Sequence, residues 1–192
     1  MPPKTDNGTA YITYVSGIDA RGVQALMRCI TGLPKSVHTL HILLATGGGS
    51  VTYGCALYHW LRALPHKLIM HNIDSVDSIG LIVFLAADTR YAAKHATFLS
   101  HRVSSKENIR KTEASMLREK LNAVETEERK IRAIYAERCA MPEADLDRLF
   151  ESGELKAVDY ALEYGIIHAQ RDPAFPAGAP VHVVETGEQN PT

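Results

Sequence analysis

Three stretches of the chain carry residue types suited to chemistry at a carbonyl group, and the first is a glycine-rich turn. In "LATGGGSVTYG", residues 44–54, three glycines and a serine stand where an apolar run ends and a helical pattern begins. Glycines at such a junction let backbone N–H groups approach a ligand closely. A phosphate loop is excluded because no Lys-Ser or Lys-Thr follows, and a dinucleotide loop because Thr52 replaces its third glycine. A tight turn that binds nothing is the alternative.

The second stretch, "NIDSVDSIGLIVFLAAD", places Ser78 between a predicted buried strand and an apolar helix. At such a junction a serine hydroxyl can point out of the sheet while the next backbone N–H faces the same space. The start of the helix there favours developing negative charge. Ser78 is therefore a candidate nucleophile. The alternative is that Ser75 or Ser78 only caps the helix.

The third stretch, "ATFLSHRV", ends a short predicted strand at His101, 23 residues after Ser78 (101 − 78). A histidine at the same edge of the sheet can act as general base for the serine. The chain has nine histidines, so a chance placement is the alternative.

Alternating strands and helices must position these residues, and their spacing predicts an α/β fold with parallel strands. Predicted strands cover 11–15, 39–45, 68–73, 91–93, 97–101 and 166–168. Predicted helices begin near Asp19, cover 50–64 and 79–87, follow Pro142, and cover 157–164.

A longer helix is predicted for 107–139, which is dense in Glu, Lys and Arg and lacks Gly and Pro. Its apolar stripe is narrow, which favours an arm that meets another subunit over a helix lying on its own domain. From residue 170 the chain is rich in Pro and Gly, which predicts a flexible tail over 170–192.

Composition limits the possible functions. The 192 residues suit one domain, 1–169, and a net charge of −1 indicates neither a nucleic-acid surface nor an acidic tail. With no membrane-spanning run and no signal peptide, we expect a cytoplasmic protein with reduced thiols at its three cysteines. The absence of C-x-x-C and H-E-x-x-H predicts no metal and no cofactor.

The three stretches together resemble one family, the proteolytic subunit of the Clp protease. "TGGGSVTYGCALYHWLRAL", "DSIGLIVFLAAD" and "RYAAKHATFLSH" follow the order and spacing of its motifs, and "ALEYGII" is similar to a later one. The resemblance covers roughly residues 10–169, and 107–139 sits where the family has its handle helix. Asp77-Ser78-Ile79-Gly80 is similar to the divergent branch of the family. The implied fold is the α/β fold shared with crotonases, made of repeated βαβ units with a projecting helix.

The resemblance implies an ATP-dependent serine endopeptidase subunit that cleaves peptides or unfolded proteins inside a homo-oligomer of stacked rings. By position, Ser78 becomes the nucleophile, His101 its base, and the N–H groups of Gly49 and Ile79 the oxyanion hole. The segment with Gly48, Ser50 and Val51 would hold an extended peptide.

The chain departs from the family at the third catalytic residue. The family has an Asp eight residues before the Ala of its A-x-E-Y-G motif, and here that position (161 − 8) is Gly153. Allowing a shift of one residue makes Glu154 the first candidate for the acid, with Glu151 and Asp147 nearby. Asp77, where the family has Ala, is a second departure. The short segment before Tyr11 leaves little to match the family's axial gate, which argues against a ring ATPase partner.

Two other functions stay open at this stage. A catalytically weak assembly subunit is favoured by the missing acid. A crotonase-like acyl-CoA enzyme would use two N–H groups on an enolate, but it needs no Ser–His pair, and no basic cluster suits the phosphates of CoA.

Overall fold

The order of elements along the chain is that of an α/β fold, as the sequence predicts. A computed structural model describes residues 8–103 and 113–186. The strands are β1 (Thr9–Val15), β2 (Thr39–Thr46), β3 (Lys67–Asp77), β4 (Thr89–Ala92), β5 (Thr97–Leu99), β6 (Leu155–Lys156), β7 (Ala169–Gln170) and β8 (Val181–Val183). The helices are α1 (Ala20–Thr31), α2 (Val51–Arg62), α3 (Ile79–Phe84), α4 (Ala114–Arg138), α5 (Glu143–Ser152) and α6 (Val158–Glu163).

One mixed sheet connects the strands in the order β6-β5-β3-β2-β1-β8, while β4 pairs with β3 and with β7. Every pairing is parallel except that of β5 with β6. The long strand β3 pairs with β4 through Ile69–Asn72 and with β5 through Ser75–Asp77. Two neighbours therefore follow one another along the same edge of β3, and its carboxyl end leads directly to Ser78.

The helix that follows β3 lies entirely in the core. All six residues of α3 are buried, and they carry no polar side chain. An all-apolar segment is stable only where every face is covered. This position fixes the start of α3, and with it the backbone around Ser78, against the rest of the domain.

Helix α4 divides into a buried end and an exposed end. Ile131, Ile134 and Tyr135 are buried near its carboxyl end, while Met116 and Leu121 are 46% and 60% exposed. Residues 107–112 of the helix predicted over 107–139 lie outside the described residues. In the single chain, the first part of the narrow apolar stripe faces solvent.

A buried arginine joins the end of α4 to the sheet. Arg90 on β4 is 3% exposed, and its guanidinium donates to four backbone carbonyls at 2.7–3.1 Å. The acceptors are the carbonyl oxygens of Ala87, Arg138, Gly165 and Ile166. Since buried carbonyls need donors, Arg90 connects β4, α4 and the turn after α6.

Residues 170–186 fall in the segment for which the sequence predicted a flexible tail, and the structure has a short strand there. β8 runs parallel to β1, with Tyr11 opposite Val181. Before it, Phe175 packs edge-on against Tyr11, and the Arg171 guanidinium lies 4.4 Å from the centre of the Tyr91 ring. These ring contacts hold the segment across the sheet.

Candidate active site

The backbone at Ser78 has an unusual conformation. Its φ is 54° and its ψ is −129°, and among the described residues it is the only non-glycine with a positive φ. Its N–H donates to the Leu99 carbonyl at 2.6 Å, which joins the end of β3 to the end of β5. Such a conformation costs about 1–3 kcal/mol and persists only where the surroundings impose it. The buried helix α3 and the pairing with β5 impose it here.

The glycine turn lies directly against this serine. Gly48 has a φ of 86°, and a Cβ at that position would stand 2.7 Å from the Ser78 Cβ. Gly49 has a φ of 150°, and a Cβ there would collide with the Ile18 carbonyl oxygen. Both positions therefore require glycine for conformation and for space.

Among the residues that the structure describes, two backbone N–H groups beside Ser78 have no backbone acceptor. Ile18 donates to the Gly48 carbonyl at 2.8 Å and accepts from the Ser50 N–H at 2.8 Å, so the Gly49 N–H points away from Ile18. Ile79 is the first residue of α3, so its N–H has no acceptor within the helix. Paired donors of this kind can bind the oxygen of a reacting carbonyl.

Ser78 and His101 line the same small cavity. Apolar side chains from α2, α3, α4 and α5 form most of its wall: Val51, Ile79, Ile82, Ile131, Tyr135 and Phe150. The Tyr135 hydroxyl lies 2.6 Å from the Ser100 Oγ, and burial raises the pKa of that phenol. The wall is therefore mostly apolar, with Arg102 and His101 as its basic residues.

The His101 ring is exposed, and its Nδ1 lies 2.8 Å from the backbone carbonyl oxygen of Arg102. A carbonyl only accepts, so Nδ1 carries the proton, and in the neutral ring the lone pair is on Nε2. Within residues 8–103 and 113–186, the Ser78 Oγ has no hydrogen-bond partner. Serine and histidine thus share a cavity without a hydrogen bond between them, as is common before substrate binds.

The three acids considered from the sequence are all paired with basic side chains. Glu154 is exposed and lies 2.7 Å from the Lys156 Nζ, and this hydrogen bond lowers the pKa of the Glu154 carboxyl. Glu151 pairs with Arg102 at 2.7 Å, and Asp147 pairs with Arg132 at 2.6 Å. None of these three carboxylates lines the cavity with Ser78 and His101.

The strand pairing shows where Gly153 lies relative to His101. β5 and β6 are antiparallel, with Phe98 opposite Lys156 and Leu99 opposite Leu155. His101 and Gly153 each lie two residues beyond the same end of this pairing. A Cβ at Gly153 would meet no atom within 4 Å, and its φ is 56°. At this end of the ladder the chain therefore has a glycine and no carboxylate at position 153.

Sequence reasoning missed Arg102 and the Ser100–Tyr135 pair, which flank His101. Arg102 follows the histidine directly, but nothing in the sequence indicates which acids it reaches. In the described part of the chain, no group of three or more His, Cys, Asp or Glu side chains is arranged to hold a metal ion. No helix among the same residues combines the length and apolar character needed to cross a membrane.

Comparison with known proteins agrees with this geometry. The family model "Clp protease" matches residues 9–170. The chain belongs to the Clp protease family. It is 30% identical to "ATP-dependent Clp protease proteolytic subunit 2" of Pseudomonas aeruginosa, in a match that covers 71% of this chain and 70% of the relative. The resemblance found in the sequence is confirmed, and so is the α/β fold that it implies.

Proposed function

We propose that this member of the Clp protease family is a serine endopeptidase subunit that hydrolyses peptide bonds. The Ser78 Oγ attacks the carbonyl carbon of the scissile bond while the His101 Nε2 takes the hydroxyl proton. The N–H groups of Gly49 and Ile79 bind the oxyanion. The same imidazole then donates the proton to the leaving amine, and water completes the cycle by the reverse route.

The observation that carries this proposal is the backbone at Ser78. A positive φ at a serine is strained, and here it occurs where a strand meets a buried helix, against Gly48 and beside the N–H groups of Gly49 and Ile79. A serine that only capped α3 would accept a hydrogen bond from the first turn, and the Ser78 side chain makes none. Strain at a reactive side chain is typical of nucleophiles at such turns.

The cavity indicates the substrate. Most of its wall is apolar, and Val51 lies at both the cavity and the start of α2. We infer that Gly48, Ser50 and Val51 hold an extended peptide whose apolar side chain, next to the scissile bond, enters the cavity. Burying such a side chain supplies roughly 1.5–3 kcal/mol of binding. Unfolded proteins and short peptides expose such segments.

Peptide hydrolysis tests the assignment. Fluorogenic peptides with an apolar residue before the scissile bond are cleaved by the wild-type chain and not by Ser78→Ala, with the melting temperature unchanged. Ser75→Ala, on the same strand, is the matched control and keeps its activity. Full activity in Ser78→Ala overturns the assignment.

The third catalytic residue is tested by a set of charge-neutral variants. Glu154 stays the sequence-based prediction, so Glu154→Gln is compared with Glu151→Gln and Asp147→Asn. A loss of turnover confined to Glu154→Gln supports Glu154 as the acid. Because Glu154 is paired with Lys156 away from the cavity, a Ser–His pair without a carboxylate is the alternative, and equal or absent effects support it.

A catalytically weak assembly subunit is the second candidate function. The observation that favours it is that no described carboxylate faces His101. A weak subunit would assemble normally yet react slowly with peptides and with serine-directed probes. Measuring activity and assembly on the same preparation separates the two functions.

We also propose a homo-oligomer of two stacked rings with the serines inside. The exposed apolar residues at the start of α4 support pairing with α4 of a second subunit. The name of the Pseudomonas relative describes an ATP-dependent protease, and an ATPase partner for this chain is a proposal only. Substitutions that remove the proposed contacts of α4 with a second subunit should leave the fold of the single chain intact, because the buried residues of α4 begin at Ile131.

A further inference from the structure

The loop that carries His101 is held from both sides. Ser100, before the histidine, is bonded to the buried Tyr135 hydroxyl at 2.6 Å. Val103, after it, packs against the core, and the Arg102 side chain pairs with Glu151 of α5 at 2.7 Å and Glu128 of α4 at 3.3 Å. Three neighbours of the histidine are thus anchored to α4, to α5 and to the core.

The ion pairs of Arg102 belong to a larger network. Glu128 also pairs with Arg132 at 3.1 Å, and Arg132 pairs with Asp147 at 2.6 Å. Arg132 lies over the ring of Phe150, which lines the cavity. A single exposed ion pair contributes little, but linked pairs that join two helices can hold a loop in place.

We propose that the backbone carbonyl of Arg102 takes the place of the missing catalytic acid and that the Arg102 side chain positions it. The inference rests on the proposed function. The carbonyl accepts the Nδ1 proton of His101 at 2.8 Å, which leaves Nε2 free to act as base. The acid of a Ser-His-Asp triad fixes the tautomer in the same way. Arg102 is a positioning residue because it acts through His101.

The proton balance of this step is simple. As the Ser78 Oγ bonds to the carbonyl carbon, its O–H bond breaks and an Nε2–H bond forms on His101. The Nδ1 proton stays on the ring and remains bonded to the Arg102 carbonyl. A neutral carbonyl orients the imidazolium but stabilises its charge less than a carboxylate does. A carboxylate added at position 153 should therefore accelerate the reaction.

The experiment combines removal of the ion pairs with addition of an acid. Arg102→Gln is expected to lower kcat and the rate of fluorophosphonate labelling of Ser78 by at least about tenfold, with KM changed by less than about twofold. The loss stays short of the ~10⁴-fold known when a triad acid is replaced and the tautomer becomes wrong. Arg102→Lys keeps most of the rate, and Arg148→Gln, which removes an ion pair within α5, keeps all of it.

Gly153→Asp supplies the acid, since aspartate tolerates a left-handed backbone and space is open there. It is expected to raise the labelling rate of the wild type and to restore that of Arg102→Gln. Gly153→Asn has the same shape without the charge and does neither. A purely structural role for Arg102 would not be rescued by a carboxylate at position 153, so rescue distinguishes positioning from folding.

The other possible results overturn the inference alone or together with the proposed function. Normal labelling and kcat in Arg102→Gln overturn the inference and leave the proposed function standing. Loss without rescue by Gly153→Asp, together with a lowered melting temperature, also overturns it. Labelling that appears only with Gly153→Asp shows that the carbonyl does not replace the acid. No labelling in any variant overturns the inference and the proposed function together.

Discussion

The contact between Gly48 and Ser78 ties the reactive serine to the turn that would bind its substrate. In Gly48→Ala, a new methyl group would stand 2.7 Å from the Ser78 Cβ and 2.9 Å from the Asp77 carbonyl, at a φ of 86°. Peptide hydrolysis should fall by at least about 100-fold, since losing one oxyanion donor alone has such an effect. Initial rates of hydrolysis measure it.

Gly47→Ala is the matched control for this change. A Cβ at Gly47 meets nothing within 4 Å, and its φ is not positive. Its rate should stay within about threefold of the wild type, because no donor is displaced. Equal losses in the two variants would contradict the account of the turn.

A pair of histidines makes stability depend on pH. His71 is 5% exposed, its Nε2 lies 3.3 Å from the His41 Nδ1, and its own Nδ1 has no partner among the described residues. Burial, with His41 and Arg171 nearby, lowers the pKa of His71 from 6.5 to about 4. Between these values the unfolded chain binds more protons, so the free energy of unfolding falls as the pH drops from 6.5 to 4.

His71→Phe tests this effect because it keeps a ring between His41 and Tyr91 and removes the titrating group. Melting temperatures measured from pH 7 to pH 4 should decline less steeply in this variant than in the wild type. His59→Phe, on α2, is the control and should keep the wild-type slope. Identical slopes in His71→Phe and the wild type would contradict the assignment.

Helix α4 exposes large apolar side chains in its first turns, among them Leu117 and Leu121. Replacing Leu121 and Val124 with Glu puts two charges on the stripe, and we expect the assembly to split into single rings or smaller species. Asn122→Glu with Ala123→Glu adds the same charge to the same turn, away from the stripe, and should assemble normally. Light scattering gives the masses. A monomeric wild type at micromolar concentration would contradict the stacked-ring proposal.

Arg90 holds the carboxyl end of α4 against the sheet by a hydrogen bond to the Arg138 carbonyl. Arg90→Leu removes four hydrogen bonds, and three of the acceptors, the carbonyls of Arg138, Gly165 and Ile166, lose the donor that Arg90 supplies, while Ala87 still accepts from Arg138. Each carbonyl that loses its donor in a buried place costs on the order of 1 kcal/mol or more. Unfolding should become easier by about 3 kcal/mol or more. Arg62→Leu is the control, since its half-exposed ion pair with Asp88 is worth under about 1 kcal/mol. Urea denaturation measures both.

Which elements could be read from the sequence depended on their length and polarity. Helices α1, α2 and α4 and the apolar strand β2 were predicted because their patterns extend over several turns or residues. β3 was predicted to end at 73 but continues to Asp77, because polar residues there are paired with β5. Strands of two or three residues, such as β6 to β8, show no periodicity and form only by tertiary pairing.

The site was predictable only in part for the same reason. Glycines and a serine at junctions between a strand and a helix are local patterns, and they drew attention to the glycine turn and Ser78, while the choice of Gly49 came from the family resemblance. The pairing of Arg102 with Glu128 and Glu151 joins residues 26 and 49 positions apart, which no local pattern reveals. Motif spacing identified Gly153 at the position of the acid, but the pairing of β5 with β6, which brings residues 153 and 101 to the same end of the ladder, is not determined by the sequence.

The proposed function of the whole molecule depends on Ser78 being a reactive nucleophile beside His101. The most direct measurement is intact mass spectrometry with peptide mapping after treatment with a fluorophosphonate. We expect one adduct per chain, on Ser78, absent in Ser78→Ala and formed much more slowly in His101→Ala. A wild-type chain that forms no adduct, or one that carries the adduct on another residue, would contradict the account.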